Sequence, residues 1–286
     1  MDLKFTYTLL IATNAFKREL LDILTAAAEV PGITCVVVIN GEDCDDVRQR
    51  YLDATPFRNA QFFSTPVKGK SLALNLYIRE LGDPRVFLIF TDDDIEIDAR
   101  IFHRYIETVE QHGTGYYYGG GVDVDMPVGI DAAVLPLYPA SIKGVSDNEL
   151  STRKIFLGCN WGAFAADIRA ANYFSPYFGP GSITGSVGQE SQMMHKLLKL
   201  GLKPFPVVDC RVTHHAPKDY HTLPWLYHRN FRGGIEKGLL NRKKIAKLVA
   251  LKVPKLFKGS RARRKSHFYS LMGILYSIKF YFRKID

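Results

Sequence analysis

Cysteine pairs and long apolar runs are missing from this sequence, and each absence excludes a class of protein. The four cysteines are scattered without a CxxC pair, which is typical of a reducing compartment and gives no thiolate metal site. No segment reaches the ~18–20 apolar residues that a membrane-spanning helix requires. The first residues, MDLKFTYTLLIATNAF, have no basic region and no small-residue cleavage site, so they predict a strand rather than a signal peptide. We therefore expect a cytoplasmic protein.

Acidic side chains are almost absent from the last part of the chain. Residues 241–286 contain 14 Lys or Arg and one acid, a charge of +13, and the whole chain carries +9, which leaves −4 on residues 1–240. The sequence is thus a mildly acidic body followed by a strongly basic tail. Such a tail is typical of proteins that bind an anionic surface, either nucleic acid or membrane. Because no RRM, zinc-finger or helix-turn-helix pattern is present, we expect no nucleic-acid partner.

Apolar segments rich in β-branched residues alternate with helical patterns through the first half of the chain. Strands are predicted at residues 6–13, 33–40, 60–65 and 86–91, and helices at 17–28, 45–54, 69–81 and 98–112. Continuous apolar strands separated by helices predict an α/β protein with an open, mostly parallel sheet and helices on both faces. In such sheets ligands bind beyond the carboxyl ends of the strands.

The second half is less regular. Its patterns predict strands at 116–125, 154–165 and 205–215, a Gly/Ser loop at 179–188 and a helix at 190–201.

Three consecutive aspartates, Asp92 to Asp94, follow the predicted strand VFLIFT. Carboxylates held together at the end of a buried strand are costly unless something neutralises them. A divalent cation does so, because Mg²⁺ and Mn²⁺ prefer oxygen ligands and commonly bridge carboxylates to substrate phosphates. The other interpretation is a solvated acidic turn before the next helix, which Asp98 would cap. The position after a hydrophobic strand of an α/β sheet favours the metal site.

The segment TDDDIE after VFLIF resembles the DxD motif of GT-A (Rossmann-like) fold glycosyltransferases, in particular the large inverting family 2. Further segments resemble the same family in the same order: LLIATNAFKRELLDIL, VVVINGEDCDD, KGKSLALN, GCNWGAF and GQESQMMHKLLKLG. The resemblance implies a catalytic domain at 1–240, with a nucleotide-sugar-binding half at 1–125 and an acceptor-binding half at 126–240. A basic helical tail at 241–286 would follow.

The resemblance also implies which residues contact the donor, a nucleoside-diphosphate sugar with UDP favoured. Asp92 would face the ribose or sugar, and Asp94 would bind Mn²⁺ or Mg²⁺, with Asp92 and His214 as further metal ligands. His214 has an alternative structural role. The remaining donor contacts are Thr13, Asn14, Asn40, Asp43, Lys70 and Asp93. The family usually has an acid directly after the second strand; here Asn40 takes that place, and Asp43 is the substitute. Lys70 either neutralises phosphate or is a surface lysine that opens a helix.

On the acceptor side, the resemblance implies Glu190 as the catalytic base, because glycosyl transfer with inversion needs one group to take the acceptor's proton. Glu190 also suits a helix N-terminus electrostatically, which is the other explanation for it. Trp161 and Gln189 are assigned to the acceptor, although an aromatic in an apolar strand, such as Trp161, is more often a core residue. Arg229 and Arg232 either clamp phosphate or lie on a solvated face.

Two other functions stay open at the level of sequence. A sugar-phosphate nucleotidyltransferase has a similar layout, but it usually carries a Gly-rich loop after the first strand, and IATNAFKREL has no glycine. A non-enzymatic protein that binds nucleic acid or membrane is compatible with the basic tail. The QxxRW motif of processive synthases is absent, so we expect a non-processive enzyme that adds one sugar to a glycan or lipid-linked acceptor.

The tail combines lysines with apolar residues at roughly helical spacing over 241–265, and Pro254 predicts a helix break. Residues 268–282 are apolar and aromatic but are interrupted by Lys279. This composition is typical of a segment that lies in a membrane interface, with its lysines toward anionic headgroups. The alternative is that the apolar part packs on the catalytic body. The first interpretation predicts peripheral attachment to the inner face of the membrane.

Overall fold

The computed structural model describes residues 3–54, 60–125, 135–215 and 222–280. These residues form one eight-stranded sheet in the order β3-β2-β1-β4-β7-β6-β8-β5. The strands are β1 Thr6–Thr13, β2 Ile33–Asn40, β3 Ala60–Thr65, β4 Val86–Thr91, β5 Ile95–Glu96, β6 Tyr116–Asp125, β7 Trp161–Phe164 and β8 Lys203–His215. The helices are α1 Arg18–Ala28, α2 Cys44–Ala54, α3 Lys70–Glu80, α4 Ala99–His112, α5 Ala140–Lys143, α6 Asp147–Thr152, α7 Ala165–Ala170, α8 Gln189–Lys199, α9 Leu223–Leu240, α10 Ile245–Lys252 and α11 Arg261–Tyr276.

Strands β1 to β4 form the parallel half of the sheet, and their predicted bounds are confirmed. β1, β2 and β4 are buried on both faces, which explains why their sequences are apolar without alternation. β3 lies at the edge and its side chains are alternately half-buried and exposed. Two apolar cores form, one on each face of the sheet, so that Leu9 packs on one side and its neighbour Leu10 on the other.

The other half of the sheet is mixed. β7 runs antiparallel to β4 and β6, whereas β6 and β8 are parallel, so the predicted mostly parallel α/β sheet is confirmed. The strand predicted at 154–165 is wrong in its first part, because only Trp161–Phe164 is a strand. The reason is Asn160, whose amide nitrogen donates to the carbonyl oxygens of Gly121 (2.8 Å) and Cys210 (2.9 Å). Its side chain thus fills the place where the pairing of β6 with β8 shifts register.

The C-terminal region is helical, as predicted, and α10 ends two residues before Pro254. Helix α11 packs along α9 at a distance that only small residues permit. A Cβ at Gly273 would lie 2.0 Å from the carbonyl oxygen of Phe231, and one at Gly234 would lie 2.2 Å from that of Ser270. No helix in the described part of the chain is long and apolar enough to cross a bilayer.

Candidate active site

A cavity of about 610 Å³ opens beyond the carboxyl ends of β1, β2 and β4, where the strand pattern predicted a ligand site. Its size suits a small-molecule ligand. Nine of the predicted site residues line it: Thr13, Asn14, Asn40, Lys70, Asp92, Asp93, Asp94, Glu190 and His214. They come from both halves of the sequence and meet because β4, β8 and α8 all end or begin at this edge of the sheet.

Asp93 is the aspartate that joins the strands. Its carboxylate accepts a hydrogen bond from Thr13 Oγ1, at the end of β1, and pairs with Lys17 Nζ at 2.7 Å. Burial would lower the pKa of Lys17, but the charge of Asp93 and its hydrogen bond outweigh burial and raise that pKa. Asp93 therefore fixes the end of β4 to the end of β1.

Asp92 is linked through Lys70 to Glu190 on the other side of the cavity. The Lys70 ammonium donates to a carboxylate oxygen of Asp92 and to Glu190 Oε1, the latter at 3.1 Å. Burial opposes the charge on both Lys70 and Asp92, yet their mutual attraction prevails. The pKa of Lys70 is raised, with a further contribution from Glu190, and the pKa of Asp92 is lowered. One cation thus ties the carboxyl end of β4 to the N-terminus of α8.

Asp94 points toward β8. Its Oδ1 lies 3.9 Å from His214 Nε2, and Oδ1 is buried without a hydrogen-bond partner. Burial, together with the charge of Asp92, raises the pKa of Asp94. The pairing of His214 with Val124 and Ile95 sets the imidazole opposite this carboxylate. A buried carboxylate oxygen and a buried imidazole are both ligands that a divalent cation accepts.

The donor set that these side chains offer to a metal ion is small. Within the described ranges, no group of three or more His, Cys, Asp or Glu residues is arranged to hold a metal ion. The unpartnered Asp94 oxygen next to His214 nevertheless fits a cation that takes its remaining ligands from a substrate or from water.

The hydrogen bonds of Asn40 explain why an amide, and not the acid that the resemblance implies, stands at the end of β2. Its Nδ2 donates to the carbonyl oxygen of Thr13 at 2.8 Å, and its Oδ1 accepts from the backbone N–H of Gly69 at 3.0 Å. A carboxylate cannot donate the first of these bonds. Asn40 therefore holds the end of β1 against the start of α3. Asn14 is exposed at the cavity, whereas Asp43 is exposed and does not line it.

Glu190 lies in the first turn of α8, at the cavity wall. Space for it comes from Gly158, where a Cβ would be 2.5 Å from the Glu190 carboxyl carbon.

The structure does not bear out the two acceptor residues, Trp161 and Gln189. Trp161 is fully buried and stacks on Phe90, with ring centroids 4.5 Å apart, so it has no face for a sugar. Gln189 is also fully buried, and its Oε1 accepts from Ser71 Oγ at 3.2 Å beneath the cavity wall. Both residues support the site from within the core.

Helix α9 contributes cavity residues whose role the sequence did not indicate or left undecided. Trp225, Arg229, Arg232 and Glu236 recur at helical spacing and line the cavity, a polar stripe that could have been recognised in the sequence. Arg232 donates to the carbonyl oxygens of Gly185 and Ser186, at 2.8 and 3.1 Å, so it anchors the Gly/Ser loop. Burial raises the pKa of Glu236, and the charge of Glu190 adds to the effect, although Arg229 and Lys237 oppose it.

No protein-family model matches the sequence, and no similar curated protein was found. Solved structures do share its architecture. One is S. aureus TarS 1–349, with a TM-score of 0.52, 12% identity, 98% of this chain and 73% of that chain covered. The chain has the GT-A fold. A second such structure, GalNAc-T7 with UDP, GalNAc and Mn²⁺, gives a TM-score of 0.53 and 13% identity. The match covers 98% of this chain but only 56% of GalNAc-T7.

Proposed function

We propose that the protein is an inverting, metal-dependent, non-processive glycosyltransferase. It moves one sugar from a nucleoside-diphosphate sugar, with UDP favoured, to a hydroxyl of a glycan or lipid-linked acceptor. The observation that carries this proposal is that the three aspartates and Glu190 line one cavity, with the Lys70 ammonium paired to both Asp92 and Glu190. The GT-A fold supports it, because the solved GalNAc-T7 structure of this fold contains UDP and Mn²⁺.

The donor side is assigned to the parallel strands. Asp94 and His214 would hold Mn²⁺ or Mg²⁺, which when bound neutralises diphosphate charge and stabilises the leaving group. Lys70 and Lys17 add fixed positive charge beside the aspartates. Asp92 is assigned to the ribose or the sugar, and Asn14 to the exposed rim of the nucleotide site. Thr13, Asn40 and Asp93 position these groups through the hydrogen bonds that join β1, β2 and β4.

The acceptor side is assigned to α8 and α9. Inversion at the anomeric carbon requires attack from the face opposite the leaving group, so the base must stand across the cavity from the metal. Glu190, which lines the cavity from the first turn of α8, is assigned as this base and would take the proton of the attacking hydroxyl. Glu236 and Arg229 on α9 would line the acceptor subsite.

The first test of this function is donor binding. A panel of nucleotide sugars is screened by thermal shift with Mn²⁺ and again in excess EDTA. We expect one nucleotide class to raise Tm only when the metal is present. The product of the best donor then separates enzyme classes, because a glycosyltransferase releases nucleoside diphosphate whereas a nucleotidyltransferase forms pyrophosphate or consumes it.

Asp94→Asn tests the metal assignment. We expect it to abolish the metal-dependent Tm shift and to lower transfer by roughly 10³-fold, because it removes a charged ligand that cannot be replaced by a neutral amide. Asp53→Asn, an exposed aspartate on α2, is the matched control and should behave like the native protein. Full turnover in excess EDTA, or in Asp94→Asn, would refute the assignment.

A further inference from the structure

Helix α11 buries more small side chains than large ones. Its buried residues are Ser266, Ser270, Leu271, Gly273 and Ile274, and three of these five are Ser or Gly. Amphipathic helices of soluble proteins normally point their large apolar residues to the core. Here Leu271 and Ile274 do so, and the small residues let the backbones of α9 and α11 approach closely.

Three other large apolar side chains of α11 are exposed on one face. Phe268, Met272 and Leu275 recur at the i, i+4, i+7 spacing of one helix face, and they are 48%, 42% and 39% exposed. We call these three residues the outer stripe. In the segment before α11, Phe257 is 77% exposed. Three exposed apolar side chains that share one helix face are a feature by which interaction sites are recognised.

Positive charges frame the outer stripe. Helical spacing puts Arg261, Arg264 and Lys265 before it on the same face and Lys279 after it. In the preceding helix α10, burial together with the charges of Lys237 and Lys255 lowers the pKa of Lys252 to about 8. Residues 241–280 contain no acid that could neutralise these groups.

We propose that the outer stripe and its framing cations dock the protein on an anionic lipid surface. The stripe would enter the boundary between headgroups and acyl chains, and the cations would meet lipid phosphates. A second copy of the chain is a poorer occupant, because two tails of the same high positive charge repel one another. The docking needs no donor or acceptor and stands independently of the proposed transfer reaction.

The apolar part of the proposal is tested by co-sedimentation of the full chain with vesicles of phosphatidylcholine and phosphatidylglycerol. The variant combines Phe268→Ser, Met272→Ser and Leu275→Ser. The control combines Leu52→Ser, Leu200→Ser and Val208→Ser, three exposed apolar residues outside the tail. We expect at least ~10-fold weaker partitioning for the stripe variant and native partitioning for the control. Far-UV circular dichroism and Tm confirm that both are folded.

The electrostatic part is tested with Lys252→Gln combined with Lys255→Gln, which leaves the stripe intact. Each lost lysine should weaken binding to anionic vesicles by roughly 5-fold at low salt, and the salt dependence should become shallower. Pure phosphatidylcholine vesicles should bind the native protein far less. The proposal is overturned if the stripe variant sediments like the native protein, or if the native protein binds neither vesicle or both equally. A native dimer that the stripe substitutions dissociate, without lipid binding, would also overturn it and assign the stripe to a second copy.

Discussion

The central strands and helix α11 treat their large apolar side chains differently. In β1 and β4 the large apolar residues, such as Leu9 and Ile89, are inside, and the polar residues that follow them face the cavity. In α11 two large apolar residues are buried beside serines and a glycine, whereas Phe268 and Met272 are exposed. We therefore expect the apolar residues of the strands to contribute far more to stability than those of the outer stripe.

The largest difference in stability is expected between substitutions at Leu9 and at Met272. Leu9→Ala should lower the free energy of unfolding by about 2–5 kcal/mol, because it leaves a cavity in a close-packed core. Met272→Ala should change it far less, by about 0.5–1 kcal/mol, since the residue is 42% exposed and fills no core space. Urea denaturation of both variants measures the difference. Equal destabilisation would mean that the outer stripe packs on the protein after all.

Two neighbouring glycines of α9, Gly233 and Gly234, should respond in opposite ways to substitution by alanine, because only Gly234 lies against α11. At Gly234 an added Cβ would meet the Ser270 carbonyl oxygen, whereas at Gly233 it would meet open space. Gly234→Ala should therefore destabilise the protein by about 1–3 kcal/mol, and Gly233→Ala should stabilise it by about 0.5–1 kcal/mol through helix propensity. The Tm values of the two variants measure whether their effects on stability have opposite signs. A stabilised Gly234→Ala would show that α11 does not rest on α9 in solution.

The smallest effect concerns Lys252 and pH. A lysine whose folded pKa of about 8 lies below its unfolded value binds fewer protons in the folded state. Stability is thus diminished below pH 8 and recovers as pH rises toward 10.5, where the unfolded lysine also loses its proton. Lys252→Gln should be more stable than the native protein by about 1 kcal/mol at pH 7, allowing for solvent screening.

That advantage should shrink between pH 8 and 10.5, as urea denaturation across this range would reveal. A constant difference would mean that burial and the charges of Lys237 and Lys255 do not lower the pKa of Lys252 in the folded protein.

The parallel half of the fold was predictable because its signal is local. β1, β2 and β4 are continuous apolar runs, and burial on both faces leaves that pattern in the sequence. β3, at the edge, was recognised by its short apolar segment before a helical pattern. The same pattern predicted at which edge of the sheet Asp92 lies. In the sequence, Trp161 lies among apolar residues. That pattern is compatible both with a position in the core and with a position at the cavity, so the sequence could not distinguish the two.

The contacts across the cavity were not predictable because they join distant parts of the chain. Lys70 and Glu190 are 120 residues apart, and their contact depends on where α3 and α8 begin relative to the sheet. The approach of His214 to Asp94 depends on the register of β8, which includes a shift near Gly121. The orientation of α11 was equally hidden, because both of its faces contain residues that are compatible with burial.

The proposed mechanism assigns donor binding to the aspartates and proton transfer to Glu190. Glu190→Gln separates these two roles. Donor affinity is measured by calorimetry with Mn²⁺, and transfer is measured as nucleoside-diphosphate release in the presence of acceptor. The account predicts an unchanged donor Kd and a rate lowered by about 10²–10⁴-fold, because the substitution removes a proton acceptor without removing a donor contact. Loss of donor binding in Glu190→Gln, or a native rate, would contradict it.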